Sequence, residues 1–381
     1  MIALDGVTAT VGDFALREVS FEIGQGSYGV VIGPAGAGKT TLLEAVAGIV
    51  PVRAGHVRLR GVDVTRQAPE LRRVGIVYQH SYLFPHLSVL ENVAYGAHNP
   101  ALVPEMLERF RLDEFVDRDV KSLSGGERQV VALARTLATS PDILLLDEPF
   151  AALDPRSRIT VRRQVRALHA ERGMTVLHVT HDFAEAGRLG HRVVLLERGR
   201  VLQVGSPDDV FHRPSSAAVA EFIGAENVVL GRIRVVRSST AGTAKKADDA
   251  DDADTATTAT TATTAITATT KTATPRERMV EFSSKGLTLH AVSDMPDGEA
   301  HAVIRADEIA LAPARRESSM RNQVAARVVE VASAGVIAHV TVEAGGVELV
   351  AAITTRSAEE LGLAPGREVV AALKATAVHL C

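Results

Sequence analysis

Eight residues, Gly33–Thr40, constrain this chain more than any other segment. They read Gly-Pro-Ala-Gly-Ala-Gly-Lys-Thr and match the pattern GxxxxGK[ST]. An apolar run precedes them and a helical pattern begins at Lys39, which is the context that phosphate binding requires. Glycines let backbone N–H groups turn towards anionic oxygens, and the start of a helix adds attraction. The segment predicts a nucleotide-phosphate loop formed by Gly33, Pro34, Ala35, Gly36, Ala37, Gly38, Lys39, Thr40 and Thr41.

Two carboxylates, Asp147 and Glu148, follow the apolar run 143–146. The carboxyl end of a buried strand is the edge at which α/β sheets bind ligands. We expect Asp147 and the Thr40 hydroxyl to hold Mg²⁺, and Glu148 to polarise the water that attacks the γ-phosphate of ATP. The residues therefore predict a Mg²⁺-dependent ATPase with ATP and Mg²⁺ as its cofactors.

The order of periodic segments predicts the fold class. Residues 1–224 alternate short strand-like runs with longer helical patterns, and a helical stretch at about 88–139 interrupts them. The prediction is an α/β P-loop ATPase core with an inserted helical subdomain. Val/Ile-rich runs broken by Gly, Pro and Asp follow, and they predict small all-β barrels, OB-like in kind, at 225–318 and 319–381.

Residues 238–276 have a composition unlike the rest of the chain. Clusters of Asp and Ala are followed by repeats of Thr and Ala that contain almost no large apolar residue. Such a segment cannot offset its chain entropy by burial, so the sequence predicts a disordered surface insertion within the first β region.

Composition excludes several functional classes. Lys and Arg total 42 against 46 Asp and Glu, aromatic residues are 4% and there is no Trp, so we expect no nucleic-acid partner. The single cysteine, Cys381, argues against disulfide frameworks and thiolate metal sites. No run approaches the roughly 18 to 20 apolar residues of a membrane span, and no secretion signal is apparent. We expect a cytoplasmic chain that reaches membranes only through a partner.

Residues 124–129, Ser-Gly-Gly-Glu-Arg-Gln, precede a helical run and stand shortly before Asp147. Together with the phosphate loop they resemble the signature sequence of ABC ATPases. The resemblance covers 1 to about 224 and includes a Q-loop at Gln79, a D-loop at 151–154 and a switch histidine at His181.

The resemblance implies a homodimer in which each ATP lies between the phosphate loop of one subunit and the signature of the other. It implies catalytic roles for Glu148, His181 and Gln79, with Gln79 also near Mg²⁺. It implies nucleotide contacts from Ser124, Gly125, Gly126 and Asp154. Phe14 is the candidate for stacking on adenine, and a Phe packed in the core is the alternative.

Residues 78–89 carry aromatic side chains and a proline between a strand and a helix. They resemble the segment with which importer ATPases receive a permease, where Phe84 and Leu87 would dock. The implied partners are transmembrane permease subunits and, indirectly, an extracytoplasmic substrate-binding protein. The implied location is the cytoplasmic face of the cell membrane, as a peripheral subunit.

Residues 319–322 and 373–378 resemble paired segments of Mop-type oxyanion-binding domains of molybdate and tungstate proteins. The predicted donors are Ser319, Arg321, Asn322, Lys374 and Thr376, while Ala377 stands where that family often has Ser. The predicted cargo is molybdate or tungstate. The alternatives are a sulfate, iron, polyamine or sugar importer, a cytoplasmic oxyanion sensor, or a barrel that only dimerises the subunit.

Overall fold

The computed structural model describes residues 1–236 and 278–381, and its chain divides into two compact units, Met1–Ile223 and Gly224–Cys381. The insertion predicted at 238–276 lies outside the described residues. Within the described part of the chain, no helix is both long enough and apolar enough to cross a bilayer.

The first unit combines two sheets with helices. Its strands are β1 (Ile2–Val11), β2 (Phe14–Ile23), β3 (Tyr28–Ile32), β4 (Val52–Leu59), β5 (Val62–Asp63), β6 (Gly75–Val77), β7 (Ile143–Asp147), β8 (Thr175–Thr180), β9 (Arg192–Glu197) and β10 (Arg200–Gly205). Its helices are α1 (Lys39–Ala47), α2 (Val89–Ala94), α3 (Leu102–Phe110), α4 (Gly125–Ala138), α5 (Pro155–Arg172), α6 (Phe183–Leu189), α7 (Pro207–His212) and α8 (Ala217–Phe222).

The main sheet has the order β10-β9-β3-β8-β7-β6, and β9, β3, β8, β7 and β6 run parallel in it. A smaller antiparallel sheet has the order β2-β1-β4-β5. This arrangement confirms the predicted α/β core. Helices α2, α3 and α4 occupy the range predicted for the helical subdomain.

The three central strands β3, β7 and β8 are buried along their whole length. Successive residues face opposite sides: Leu144 belongs to the core under the helical subdomain, and Leu145 to the core shared with α1 and the antiparallel sheet. A parallel sheet covered on both faces needs such continuous apolar strands. The carboxylates and the exposed polar groups of the site therefore stand at or beyond the strand ends.

Helix α1 is fixed at both ends. Gly38 caps its start with φ of 99°, and Gly48 ends it with φ of 87°. The guanidinium of the buried Arg72 donates to the carbonyls of Ala45 and Val46, both at 2.9 Å. A cation at the carboxyl end of a helix satisfies free carbonyls and complements the helix dipole. This contact holds in place the helix that follows the phosphate loop.

The second unit is all-β apart from short helices, as predicted. Its elements are β11 (Asn227–Val235), β12 (Arg278–Ser284), β13 (Leu287–Ser293), β14 (Gly298–Ile304), β15 (Ala310–Ala312), β16 (Asn322–Ala334), β17 (Ile337–Ala344), β18 (Val347–Thr354), α9 (Thr355–Glu360), β19 (Glu368–Leu373) and β20 (His379–Leu380).

This unit consists of two similar halves that exchange their last strands. One sheet has the order β13-β12-β11-β14-β20 and the other β18-β17-β16-β19-β15. The two orders correspond strand for strand, except that β20 of the second half ends the first sheet and β15 of the first half ends the second. Both halves belong to one compact unit, and each completes the sheet of the other.

Two asparagines join the halves. The Asn227 side chain accepts a hydrogen bond from the Val350 N–H at 2.6 Å and donates to the Val350 and Ile304 carbonyls, both at 3.0 Å. At the equivalent position of the other half, Asn322 accepts from the His290 N–H at 2.7 Å and donates to the His290 carbonyl at 2.9 Å. Each asparagine begins the first strand of one half and binds the third strand of the other.

We expect Asn227→Ala to destabilise the second unit by about 1–3 kcal/mol, because it removes the partner of the Val350 N–H. Hydrogen exchange of the Val350 amide in the full chain measures this loss. Asn99→Ala, at an exposed loop position, is the control. Unchanged protection of the Val350 amide in the Asn227 variant would contradict the role of Asn227 in joining the two halves.

Candidate active site

A cleft of about 520 Å³ opens where β3, β7 and β8 end. The phosphate loop, the end of β7 and the residue after β8 all contribute to it. Its lining consists of Val11, Phe14, Ala35, Gly36, Gly38, Lys39, Thr40, Thr41, Gln79, Asp147, Glu148 and His181. The structure thus brings together, in one unit, most of the nucleotide residues expected from the sequence.

The phosphate loop bends through left-handed backbone conformations at Gly36, with φ of 79°, and Gly38, with φ of 99°. These angles are the reason that glycine is needed at both positions. The Lys39 Nζ donates to the carbonyls of Gly33 at 2.8 Å and Pro34 at 3.1 Å. Burial lowers the pKa of Lys39, while the nearby carboxylates of the cleft act in the opposite direction. The lysine therefore lies across the loop as a partly desolvated cation.

Thr40 and Asp147 meet across the cleft, where the Thr40 hydroxyl donates to Asp147 Oδ2 at 2.9 Å. Asp147 is only 4% exposed, and this desolvation raises its pKa, although the Thr40 hydrogen bond opposes the shift. A hydroxyl and a carboxylate this close suit the oxygen preference of Mg²⁺. Among residues 1–236 and 278–381, no cluster of three His, Cys, Asp or Glu side chains could hold a metal, so Mg²⁺ here would also need oxygen atoms from nucleotide or water.

Glu148 has a strained backbone, with φ of 46°. Its N–H donates to the Val179 carbonyl at 3.0 Å, and this bond ties the turn after β7 to the neighbouring strand β8. Its Oε1 lies 2.8 Å from His181 Nδ1. Left-handed conformations cost free energy for a residue with a Cβ, and they occur where the surroundings hold a side chain in place. The carboxylate is thereby directed into the cleft.

Gln79 and Phe14 lie at the rim of the cleft. Gln79 is exposed, while the preceding Tyr78 carbonyl accepts a hydrogen bond from Gln129 Nε2 at 2.8 Å. Gln129 belongs to α4, so the helix that follows the signature fixes the base of the Q-loop. The half-buried Phe14 ring packs against Gly38, where an added methyl group would lie 2.4 Å from the ring.

The signature residues line a different cleft. Ser124 and Gly126 border a space of about 470 Å³ together with Asp154, and the phosphate loop does not contribute to it. Ser124 caps α4: its hydroxyl accepts from the Glu127 N–H at 3.2 Å, and its own N–H donates to the Glu127 carboxylate at 2.6 Å. These hydrogen bonds lower the pKa of Glu127 and define the start of the helix. Ser124 and Gly125 are exposed.

Comparison with known proteins agrees with these features. Residues 16–151 match the ABC transporter family and residues 318–380 match the TOBE domain. A molybdate/tungstate import ATP-binding protein from Pyrococcus horikoshii is 34% identical over 388 residues, covering 100% of this chain and 99% of the relative. The chain belongs to the ABC transporter ATP-binding family. It is an ATP-hydrolysing transport subunit, and its import relatives identify it as the ATPase subunit of an ABC importer.

Other ABC relatives are named for the import of a different anion. A sulfate/thiosulfate import ATP-binding protein from Methylococcus capsulatus is 43% identical over 245 residues, covering 61% of this chain and 70% of the relative. Among solved structures, the dimeric ATP-binding cassette MJ0796 in a post-hydrolysis state with ADP and Pi is 30% identical, with a TM-score of 0.50. It covers 54% of this chain and 99% of its own. These matches confirm the predicted ABC ATPase.

The predicted oxyanion donors of this ABC subunit gather at one end of a strand pair. Asn322 opposes Leu373 in the antiparallel pair β16–β19, so Arg321 and Lys374 flank the same end of that pair. Ser319, Arg321, Lys374 and Thr376 are exposed there. Asn322 differs from the prediction, because its buried amide is engaged with the His290 backbone.

Two residues next to the ATP cleft were absent from the sequence predictions. The Thr180 hydroxyl lies 3.4 Å from Glu148 Oε2, and the buried Glu185 accepts a hydrogen bond from the same hydroxyl at 2.9 Å. A signal was present in the sequence: Glu185 stands beside Ala186 and one turn before Leu189, on the apolar side of its helix. An acid at such a position requires a partner.

Gly38→Ala should destabilise the first unit more than Gly12→Ala does. Both positions have positive φ, which costs a residue with a Cβ about 1–2 kcal/mol. A methyl group at Gly38 would also meet the Phe14 ring, whereas at Gly12 it would meet nothing within 4 Å. Denaturant unfolding of both variants measures the difference, and equal losses would contradict the packing of Phe14 on the loop.

Proposed function

We propose that two copies of this chain enclose two MgATP molecules, and that hydrolysis drives import of a tetrahedral oxyanion through a separate permease. The observation that carries the first part is the separation of the two clefts. The phosphate loop and the signature belong to different clefts of one chain. A single ATP can contact both only when the signature comes from a second copy.

The exposed tip of α4 has the chemistry for that contact. Ser124 is already a helix cap, and its capping box uses the N–H groups of Glu127 and of Ser124 itself, so those of Gly125 and Gly126 have no acceptor within the helix. Those N–H groups and the helix dipole favour an anion such as a γ-phosphate. An ATP-bound dimer would then be more stable than an ADP-bound one, because ADP lacks the phosphate that the tip binds.

Within the phosphate-loop cleft each side chain has a defined task. Lys39 would leave the Gly33 and Pro34 carbonyls to bind the terminal phosphates, while Thr40 and Asp147 would hold Mg²⁺ with Gln79 at the rim. Mg²⁺ would supply charge neutralisation between the phosphates. Glu148 would accept a hydrogen bond from the attacking water and orient it. His181 would hold the Glu148 carboxylate by a hydrogen bond at Oε1. Phe14 is the candidate for contact with the adenine.

The segment 78–89 offers a surface for a permease on the cytoplasmic side of the membrane. Tyr82 is 67% exposed and Phe84 is half-buried, with Arg135 over its ring. Arg135 also donates to the Tyr82 carbonyl, and Gln129 donates to the Tyr78 carbonyl. Force applied to this loop would therefore reach α4 and the signature directly. Such a subunit would be peripheral and would work indirectly with an extracytoplasmic binding protein.

The cargo proposal rests on the second unit and on the full-length relatives. Arg305, the counterpart of Lys374 in the first half, forms a two-point ion pair with Asp307 at 2.9 Å. Lys374 forms no ion pair with any described residue, and Thr376 stands where the first half has Asp307. Of these two equivalent ends, the one with Arg321 and Lys374 therefore offers cationic donors and has no carboxylate at the position of Asp307. Molybdate or tungstate is the proposed anion. Sulfate is the second candidate, since sulfate/thiosulfate relatives are 43% identical over part of the chain.

Glu148→Gln should lower ATP hydrolysis by more than about 100-fold and leave a stable ATP-bound dimer, because the amide cannot polarise the attacking water. Turnover assays and size-exclusion chromatography with MgATP measure the two effects. Glu108→Gln, at an exposed position of α3, is the matched control. Hydrolysis at the parent rate by the Glu148 variant would reject the role of Glu148.

Isothermal titration of the full chain with molybdate, tungstate and sulfate tests the cargo. We expect binding of molybdate and tungstate that Arg321→Ala or Lys374→Ala weakens about tenfold, the effect of losing one charge-assisted hydrogen bond. Arg305→Ala should leave the affinity unchanged, because Arg305 is already paired with Asp307. Preference for sulfate would support the second candidate, and the absence of binding by all three anions would reject an oxyanion site in this unit.

A further inference from the structure

A buried carboxyl group lies behind the ATP cleft, and no lysine or arginine of the described residues forms an ion pair with it. Glu185 belongs to α6, follows His181 by four residues and is only 4% exposed. Its Oε2 lies 2.9 Å from the Thr180 hydroxyl and 3.5 Å from His178 Nε2. His178 is itself fully buried, its Nε2 forms no hydrogen bond with any described residue, and burial lowers the pKa of its ring to about 3. The long contact and the lowered pKa of His178 both disfavour an ion pair between this ring and Glu185.

Glu185 is instead suited to be a neutral acid. Desolvation raises its pKa, although the Thr180 hydrogen bond opposes this shift. Titratable and charged groups from every neighbouring element act on Glu185. They are His178 of β8, Tyr28 of β3, Asp182 at the N-cap of α6, Arg162 of α5 and Glu148 of the cleft. The two other acids favour its protonated form, and Arg162 acts against it.

The Thr180 hydroxyl can serve only one of two carboxyl groups as a donor. It has one hydrogen and two lone pairs. The Asp182 N–H donates to one lone pair at 3.1 Å, and the carboxyl oxygens of Glu185 and Glu148 lie at 2.9 Å and 3.4 Å. If Glu185 is ionised, it takes the hydroxyl hydrogen by the shorter contact. If Glu185 carries its own proton, it donates to the second lone pair and leaves the hydroxyl hydrogen for Glu148.

We propose that Glu185 and Thr180 are positioning residues for ATP hydrolysis: neutral Glu185 donates to Thr180, and Thr180 donates to Glu148 Oε2. Glu148 is then held at both oxygens, by Thr180 at Oε2 and by His181 at Oε1. A carboxylate fixed at two points presents the attacking water with one orientation. This inference rests on the proposed role of Glu148 in orienting that water.

The first test removes the hydroxyl. Thr180→Val should lower kcat about tenfold, the effect of one hydrogen bond to a charged group, with KM for ATP nearly unchanged because Thr180 does not line the cleft. Thr180→Ser keeps the hydroxyl and should restore the parent kcat. Thr175→Val is the matched control, since Thr175 is a buried threonine at the opposite end of the same strand.

The second test follows the proton on Glu185. In the parent, kcat at saturating MgATP should fall as the pH rises through the pKa of Glu185, because the ionised acid takes the hydroxyl hydrogen. At high pH it should approach the kcat of Thr180→Val. In Glu185→Gln the amide N–H donates to Thr180 at every pH, so this fall should disappear while kcat at low pH stays near that of the parent.

The outcomes separate the hypotheses. Superimposable pH profiles of the parent and Glu185→Gln would overturn the inference, and so would parent kcat in a folded Thr180→Val. If Thr180→Val unfolds, the pH comparison of the parent with Glu185→Gln still decides. Loss of hydrolysis in Glu148→Gln together with normal Thr180→Val would reject only the positioning role, whereas parent activity in Glu148→Gln would reject the proposed function itself.

Discussion

The complete burial of the central strands is the constraint on which the first unit depends. Strands β3, β7 and β8 have no exposed residue, because helices cover one face of the sheet and the antiparallel sheet and α1 cover the other. The nucleotide-facing side chains of this sheet therefore stand at or just beyond the strand ends. The phosphate loop follows β3, Asp147 ends β7 and His181 follows β8, so three separate parts of the chain meet at one edge.

The second important feature is that the phosphate loop and the signature line different clefts of one chain. Helix α4 connects them mechanically: its first residue follows Ser124, and its Gln129 and Arg135 bind the loop that carries Gln79 and Phe84. The helix that begins at the exposed tip therefore contacts the same loop that we propose for the permease.

The sequence predicts the elements that depend on local chemistry. The phosphate loop, Asp147 and Glu148 follow from a strand, a turn and a helix that are neighbours in the chain, and the structure has these elements where they were expected. Thr180, Glu185 and Arg72 were missed because their partners are brought near by folding, and a single residue in a strand or helix does not reveal them. Asn322 illustrates the opposite case, since a polar residue at the start of a strand looks the same whether it binds a ligand or a neighbouring backbone.

The exchange of β15 and β20 was also beyond sequence reasoning, because strand pairing across two halves leaves no local pattern. It has a topological consequence. Each half supplies one strand to a sheet that it does not otherwise belong to, so the arrangement requires two halves but not the covalent link between them. Two separate copies of one half could pair by the same exchange, and their covalent connection in one chain allows the two ends to carry different residues, Asp307 in one and Thr376 in the other.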